Sequence, residues 1–444
     1  MFWKFFAVFA ITLGLLAAGR AFAPYSSIHS LLIQGPLELR NANESNWLAW
    51  ARHEDQTIRA RLRQGDLDSM VNLLLYGTSF TGQPRISMQG EGLTVASKSG
   101  VLHARVDDLV AGLRNPGDNQ RLVFLQRLLR NQGIDPSEDP KKTGIFVLQN
   151  LQRVVEERIA LERTPHAKTD DPLDRSSIFR ARGLSLDTGI IPDFSIEQTL
   201  RDLKARGLLG EGQISRVAVI GPGLDFIDKN EDSAYDYYPE QTLQPFALYD
   251  SLVRLGLAKA GALSVSILDI SPQVIEHIQH ARERAAKGTG YVIQLPRDKA
   301  VAWPEALIGY WKSMGDRVGT SMAPIAPPRV FAGLETRAVR IRPDVVLSCE
   351  PVDLDIVLER LNLPAADRFD LIVGTNIFVY YDAFEQALAL ENAGAMLKPG
   401  GLLLTNDRLP VVAGGAMQLA GVTVVPFDSP GVSARQAVGW YRKR

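Results

Sequence analysis

Apolar positions recur at helical spacing through the first third of the chain, from about residue 46 to residue 163. Asn46-Trp47-Leu48 opens an amphipathic run that continues to Leu62, and Asp66 is placed to cap a second run, "LDSMVNLLLYG". Leu122 to Leu129 and Ile145 to Leu161 carry the same period. The stretch "GTSFTGQPRISMQGEG" (77–92) is rich in turn residues and reads as a loop. Residues 164–194, with "TPHAKTDDPLD" inside, read as a linker or a cover segment. After about residue 195 the pattern changes. Short apolar runs at Val217–Ile220, Leu263–Leu268, Val345–Leu347, Leu371–Val373 and Leu402–Leu404 read as strands. Helical stretches at Gln244–Leu257, Pro272–Ala286, Asp355–Leu361 and Ala383–Leu397 lie between them. Continuous apolar strands joined by crossover helices predict a doubly wound α/β sheet, with its ligand at the carboxyl ends of the strands. Residues 287–344 are too many for a plain connection and predict an insertion over one edge of that site. "GVTVVPFDSPG" (421–431) and "AVGWYRKR" (437–444) predict a closing strand hairpin.

The chain has 444 residues, more than one core usually serves, so two domains are expected. A hydrophobic content of 45% and a charged content of 22% are those of a globular protein. The net charge of -1 argues against general affinity for nucleic acid. Runs such as Arg59-Ala60-Arg61-Leu62-Arg63 then read as wet helix faces. Cys349 is the only cysteine, which excludes an intrachain disulfide and a cysteine-built zinc site. Lys4, the apolar stretch from Phe5 to Gly19 and the following "AGRAFAP" have the layout of a secretory signal or a membrane anchor. Balanced flanking charges leave its orientation open. The expected division is therefore 1–23 as signal or anchor, 24–163 as a helical domain, 164–194 as linker, and 195–444 as the α/β domain with its insertion.

The chemistry concentrates at strand ends. Gly221, Pro222 and Gly223 follow the first strand, where glycine lets the chain turn sharply and lets a ligand approach without a Cβ in the way. A dinucleotide fingerprint would have a third glycine at position 226, which is Phe. Asp225, Asp228, Glu231 and Asp232 come next, where a pyrophosphate would need donors. A cofactor with a sulfonium cation and no phosphate suits such a loop, so S-adenosylmethionine is the expected ligand. Asp269, with Ile270 beside it, ends the second strand and can accept the ribose hydroxyls; capping the helix that starts at Ser271-Pro272 is the alternative. Asp353 after the third strand either reaches the adenine amino group or caps a helix. Gly374-Thr375-Asn376 can hold the methionine part. Tyr235, Tyr237, Tyr238 and Tyr380 are candidates for the methyl-transfer pocket, since aromatic faces suit a cation, or they pack a loop on the sheet. Glu276, His277 and His280 share a helix but read as a solvated face, so no metal site is expected. No specific catalytic base stands out.

"LDISPQVIEHIQHA", "FDLIVGTNIFVYYD" and "LKPGGLLL" together make residues 214–444 resemble class I S-adenosylmethionine-dependent methyltransferases. Within that superfamily the similarity is greatest to the chemotaxis-receptor glutamate methyltransferases. The resemblance implies a Rossmann-like methyltransferase sheet ending in an antiparallel hairpin, with a helical N-terminal region beside it. It also implies that Gly221 and Gly223 pass under the cofactor, that Asp269 binds ribose, and that Asn376 and Ile377 flank the ligand. The acidic loop, the insertion and the leading apolar segment are foreign to those receptor enzymes. An exported or membrane-attached chain is in tension with a cofactor made in the cytosol, which raises the alternative of a binding module without turnover. A nicotinamide-dependent oxidoreductase is the third reading. The methyl acceptor is not specified by the sequence.

Overall fold

The computed structural model describes residues 19–33, 35–87, 99–162, 184, 189–228, 233–331, 333–412, 414–427 and 435–444. Most of the leader, most of the linker, the end of the loop after residue 87, and Glu231 and Asp232 lie outside the described residues. Among the described residues, no helix is long and apolar enough to cross a membrane.

The chain enters the fold as a short strand, β1 (Arg20–Phe22), followed by α1 (Tyr25–Leu32). Next comes a single 33-residue helix, α2 (Glu44–Tyr76), begun by a capping box between Asn43 and Asn46. Two helices separated near Asp66 were expected, but α2 runs straight through. Gly65 costs about 1 kcal/mol in a helix, yet it is held by packing: a Cβ there would lie 1.9 Å from the carbonyl oxygen of Leu184. With helix continuing on both sides, Asp66 caps nothing. Helices α3 (Ser99–Arg114), α4 (Gln120–Asn131) and α5 (Pro140–Glu162) complete this region around Leu109, Leu125 and Val147. The predicted cover segment ends in α6 (Ile190–Ala205), which opens the second half.

That half is built on β2 (Arg216–Ile220), α7 (Gln244–Arg254), β3 (Ser264–Asp269) and α8 (Pro272–Ala286). The insertion follows as β4 (Tyr291–Asp298), α9 (Glu305–Ser313), β5 (Gly319–Met322) and β6 (Leu334–Ile341). Its strands form a separate antiparallel sheet in the order β4-β6-β5. The chain returns through α10 (Pro343–Leu347), β7 (Cys349–Asp353), β8 (Glu359–Leu361), β9 (Phe369–Gly374), α11 (Ala383–Met396), β10 (Leu397–Thr405), β11 (Met417–Pro426) and β12 (Arg435–Lys443). The main sheet has the order β11-β12-β10-β9-β2-β3-β7. Its strands from β10 to β7 are parallel, and β12 is inserted antiparallel between β10 and β11. β2 shows why the continuous apolar runs were informative. Val217 and Val219 pack into the core on one face of the sheet, and Ala218 and Ile220 into the core on the other.

Two expected elements differ. Val345–Leu347 belongs to the short helix α10, started by Pro343, and the third strand lies just beyond it. β7 is an edge strand, so it tolerates Glu350 and Pro351 and lacks the apolar run of a central strand. Asp355–Leu361 is a turn and a strand, not a helix, because β1 arrives from the N-terminus to pair with β8. The closing hairpin is present, with β11 beginning earlier than expected.

Asp370 fixes the entry side of the sheet. Its Oδ2 accepts from the backbone N–H groups of Ser215 (2.8 Å) and Arg216 (2.9 Å), and its Oδ1 accepts from Lys398 Nζ (2.5 Å). Burial works against its charge, but Lys398 and those two N–H groups outweigh it and hold the carboxyl below its usual value. Asp370→Ala is expected to destabilise the chain by about 1.5–3 kcal/mol at neutral pH. Because the folded value is depressed, this contribution is present above the ordinary carboxylate range and disappears as pH falls through the folded value. Denaturant melts of wild type and variant should therefore converge in acid.

Candidate functional site

The strand order reverses between β2 and β9, and a pocket opens at their carboxyl ends, where doubly wound sheets place ligands. Gly221 (φ 56°) and Gly223 (φ 70°) both take the left-handed conformation. A Cβ on Gly221 would lie 2.2 Å from Ile377 Cδ1, so this turn and the segment after β9 close on one another. The structure brings Gly221, Gly223, Asp269, Ile270 and Ile377, all named as candidates from the sequence, into the lining of this one pocket. Pro222, between the two glycines, is buried but does not line the pocket.

Asp269 is almost fully buried at the mouth of β3. It does not cap α8: Ser271 Oγ accepts from Val274 N (3.5 Å), while Ser271 N donates to Asp269 Oδ1 (2.8 Å). Burial pushes its carboxyl up to about 7, partly opposed by the N–H groups of Ser271 and Ile270, with the charge of Asp353 adding to the rise. A carboxylate raised this far in an apolar wall suits a ligand that brings hydroxyl donors.

Asp353 plays a different part from the one expected. It is not among the residues that line the pocket, and its side chain is held by two cations of the N-terminal region. Arg59 Nη2 lies 2.9 Å and Arg20 Nη1 2.8 Å from its carboxylate. Arg59 also donates to Ile270 O (3.4 Å) and pairs with Asp55, and Arg61 Nη2 donates to Tyr380 O (2.6 Å). These arginines are not a wet face: they fasten α2 across the pocket, which brings Leu62 and Leu184 into its wall. Leu354 and Ile356 also line the pocket. Asp355 between them is fully buried; its Oδ1 accepts from Val357 N, its Oδ2 has no partner, and burial pushes it up to about 8.

Of the four candidate tyrosines, only Tyr380 lines the pocket, joined by Tyr381, which sequence reasoning missed. Tyr238 is buried and donates to Asp225 Oδ2 (2.6 Å), Tyr237 bonds Thr336 Oγ1 (2.7 Å), and the Tyr235 ring packs 5.2 Å from Phe331. They brace the post-glycine loop on the inserted sheet. Of the acids of that loop, the two described, Asp225 and Asp228, do not line the pocket either. Asp225 is half-buried and also accepts from Gln241 Nε2, while Arg121 donates to backbone carbonyls of Asp225, Phe226 and Tyr238. Asp228 accepts from Ser233. Asn376 is exposed at φ 59°, and its side-chain Oδ1 accepts from Asn406 Nδ2 (2.6 Å) while its backbone N–H donates to Asn406 Oδ1 (2.8 Å). It shapes the loop that aims Ile377 and does not line the wall.

His277 is not on a solvated face. It is hydrogen-bonded to Tyr291 Oη (2.8 Å), and burial lowers it to about 4, aided by Arg284 and His280. Glu276 pairs with Arg127, and among the described residues no cluster of acids, histidines or cysteines could hold a metal ion.

No protein family matches the chain in sequence, and no curated protein matches it. Among solved structures, the chain is similar at low identity to several methyltransferases. The N-methyltransferase NodS of Bradyrhizobium japonicum, solved with S-adenosyl-l-homocysteine, is 14% identical, with 65% of this chain and 98% of that one covered at a TM-score of 0.26. The magnesium protoporphyrin IX methyltransferase of Synechocystis is 12% identical, with 65% and 97% covered and a TM-score of 0.25. The rRNA methyltransferase of Streptomyces viridochromogenes is 9% identical, with 63% and 95% covered and a TM-score of 0.28. By its own strand order, with β12 antiparallel between β10 and β11, the second half is a Rossmann-like methyltransferase sheet.

Proposed function

We propose that this chain is an S-adenosylmethionine-dependent methyltransferase. The observation that carries the reading is the left-handed turn at Gly221 and Gly223, set beside a buried Asp269 at the reversal point of a sheet containing an inserted antiparallel strand. Gly221 and Gly223 leave room for the ligand's backbone-like amino-acid part. Asp269 accepts the ribose hydroxyls, and Ile270, Leu354 and Ile356 enclose the adenine. Ile377, Tyr380 and Tyr381 border the methyl-transfer side. When bound, the cofactor supplies an activated methyl group. The protein's share is to align the acceptor and exclude water, which for well-oriented pairs is worth about 7–11 kcal/mol. A nicotinamide-dependent reading gains nothing from the structure: the turn lacks a helix directly after it, since α7 begins only at Gln244.

The similarity of "LDISPQVIEHIQHA" and "FDLIVGTNIFVYYD" to the receptor methyltransferases makes protein carboxylates the first acceptor class to screen. Small-molecule acceptors come second. The N-terminal leader suggests that the acceptor is met at a membrane or outside the cytosol.

Isothermal titration with S-adenosylhomocysteine tests the cofactor assignment, and a folded chain that ignores this compound would overturn it. Asp269→Asn is expected to weaken binding by about 1.5–3 kcal/mol. Since the charged carboxylate is the acceptor form, wild-type affinity should rise as pH climbs through about 7, and the variant should lose that rise. Gly221→Ala forces a Cβ into Ile377 at a positive φ. It should abolish measurable binding while circular dichroism remains native.

A further inference from the structure

Three cations stand without partners on the entry side of the sheet, away from the pocket. Arg360 lies in β8, Arg368 comes just before β9, and Lys443 ends β12. The last turns of α11 draw these elements together. Leu361 N donates to Met396 Sδ (3.3 Å), and Leu397 pairs with Phe369. Glu391 accepts from the N–H of Ala416 (3.4 Å), next to Met417, which pairs with Lys443. All three cationic residues are half-buried. Among the described residues none of them makes a hydrogen bond or an ion pair, and Arg368 Nε is buried without an acceptor.

The neighbouring acids are already taken, Asp367 by Arg216 (2.8 Å) and Asp370 by Lys398 (2.5 Å). Glu391 attracts Arg360 and Lys443 without forming an ion pair with either. Burial, with the Arg368 charge, holds Arg360 below its ordinary value, and burial, with Arg368 and Arg360, does the same to Lys443. The end of α11 does not employ them, since the carbonyls of Ala393 and Gly394 accept from Leu397 N. Partly desolvated cations without partners repel one another, and a phosphate group would satisfy several at once. The leader leaves the fold at the same place. β1 runs antiparallel to β8 with Ala21 opposite Arg360, and Asn362 N donates to Gly19 O (3.3 Å). Gly19 is thus two residues along the ladder from Arg360, about 7 Å. The sequence before it is apolar from Phe5 onward. Apolar chain emerging beside unpaired cations suits a surface with anionic headgroups over apolar tails.

We propose that Arg360, Arg368 and Lys443 form a binding site for a phosphate group, with the headgroups of an anionic membrane as its source. The assignment does not depend on the methyltransferase reading. The test uses the full chain in flotation with vesicles of phosphatidylcholine alone and of phosphatidylcholine mixed with phosphatidylglycerol. Titration with inorganic phosphate runs in parallel. Wild type is expected to bind the anionic vesicles more tightly than the neutral ones. Arg360→Gln, Arg368→Gln and Lys443→Gln should each reduce that preference about fivefold, leave binding to neutral vesicles unchanged, and melt no lower than wild type. Glu391→Gln removes the acid that competes for the cluster and should strengthen the preference. A response to inorganic phosphate that the glutamine variants lose, without any vesicle preference, keeps the site and overturns the membrane as its source. Equal binding by wild type and variants in both arms overturns the site. So do variants that melt lower than wild type, which would mark the cations as parts of the fold.

Discussion

One helix holds the two halves of the molecule in register. α2 is 33 residues long, about 50 Å at 1.5 Å per residue, and it belongs to two cores. Trp47, Ala51, Ile58 and Leu62 pack with β8, β9 and α11, whereas Met70 to Tyr76 pack with the other helices and with Phe226 and Ile227 of the post-glycine loop. The pocket lies beneath the middle of this beam. Had the chain broken at Gly65 and Asp66, Arg59 and Arg61 could still reach Asp353 and Tyr380, but the second half would no longer be tied rigidly to the glycine turn. The near-contact of Gly65 with the Leu184 backbone is what makes glycine the fitting residue at the crossing point.

This arrangement redistributes charge around the pocket. The arginines end on the outer side of the wall, on Asp353, Asp55 and the carbonyl of Tyr380. Asp269 on the wall, Asp355 between two wall residues and Asp66 on α2 are each pushed up to about 7 or 8, with burial as the leading cause. Three acids in apolar surroundings weaken the empty state at and above neutral pH, because their folded values lie above the unfolded one and stability falls as pH rises through that interval. Of the three, Asp269 alone lines the pocket, so a ligand that offered it hydroxyl donors would offset its burial cost and, by binding only the folded chain, stabilise the fold.

The central parallel strands were legible in the sequence because burial on both faces leaves apolar residues in the majority, as in β2 and β3, where the polar exceptions are Arg216 at one strand end and two small serines and the terminal Asp269 in the other. β7 was not, because an edge strand with Glu350 and Pro351 carries no such run. The turn and strand at Asp355–Leu361 could not be read locally: β8 exists as a strand only because β1, more than three hundred residues earlier, pairs with it. Gly221, Gly223 and Asp269 were readable since their chemistry is local to strand ends. Leu62, Leu184 and Tyr381 were not, since only the packing of α2 brings the first two to the pocket. Asp353 and the three tyrosines at 235–238 had the right residue types but the wrong neighbours. Two arginines and the inserted sheet claim them, and neither competitor is visible from spacing alone.

The segment after β9 shows how little side-chain chemistry this site needs. Asn376 is held at a positive φ, a costly conformation for a residue other than glycine. The cost is met by a reciprocal pair of hydrogen bonds with Asn406 after β10, and Asp407 accepts from Phe378 N (3.0 Å) one step further on. The ends of two adjacent parallel strands are thereby locked together, and the lock drives Ile377 onto Gly221. Neither asparagine needs to touch the ligand to matter. By fixing the distance between the glycine turn and the Tyr380–Tyr381 wall, they set the width of the pocket, and under the methyltransferase reading proposed above that width would govern how donor and acceptor align.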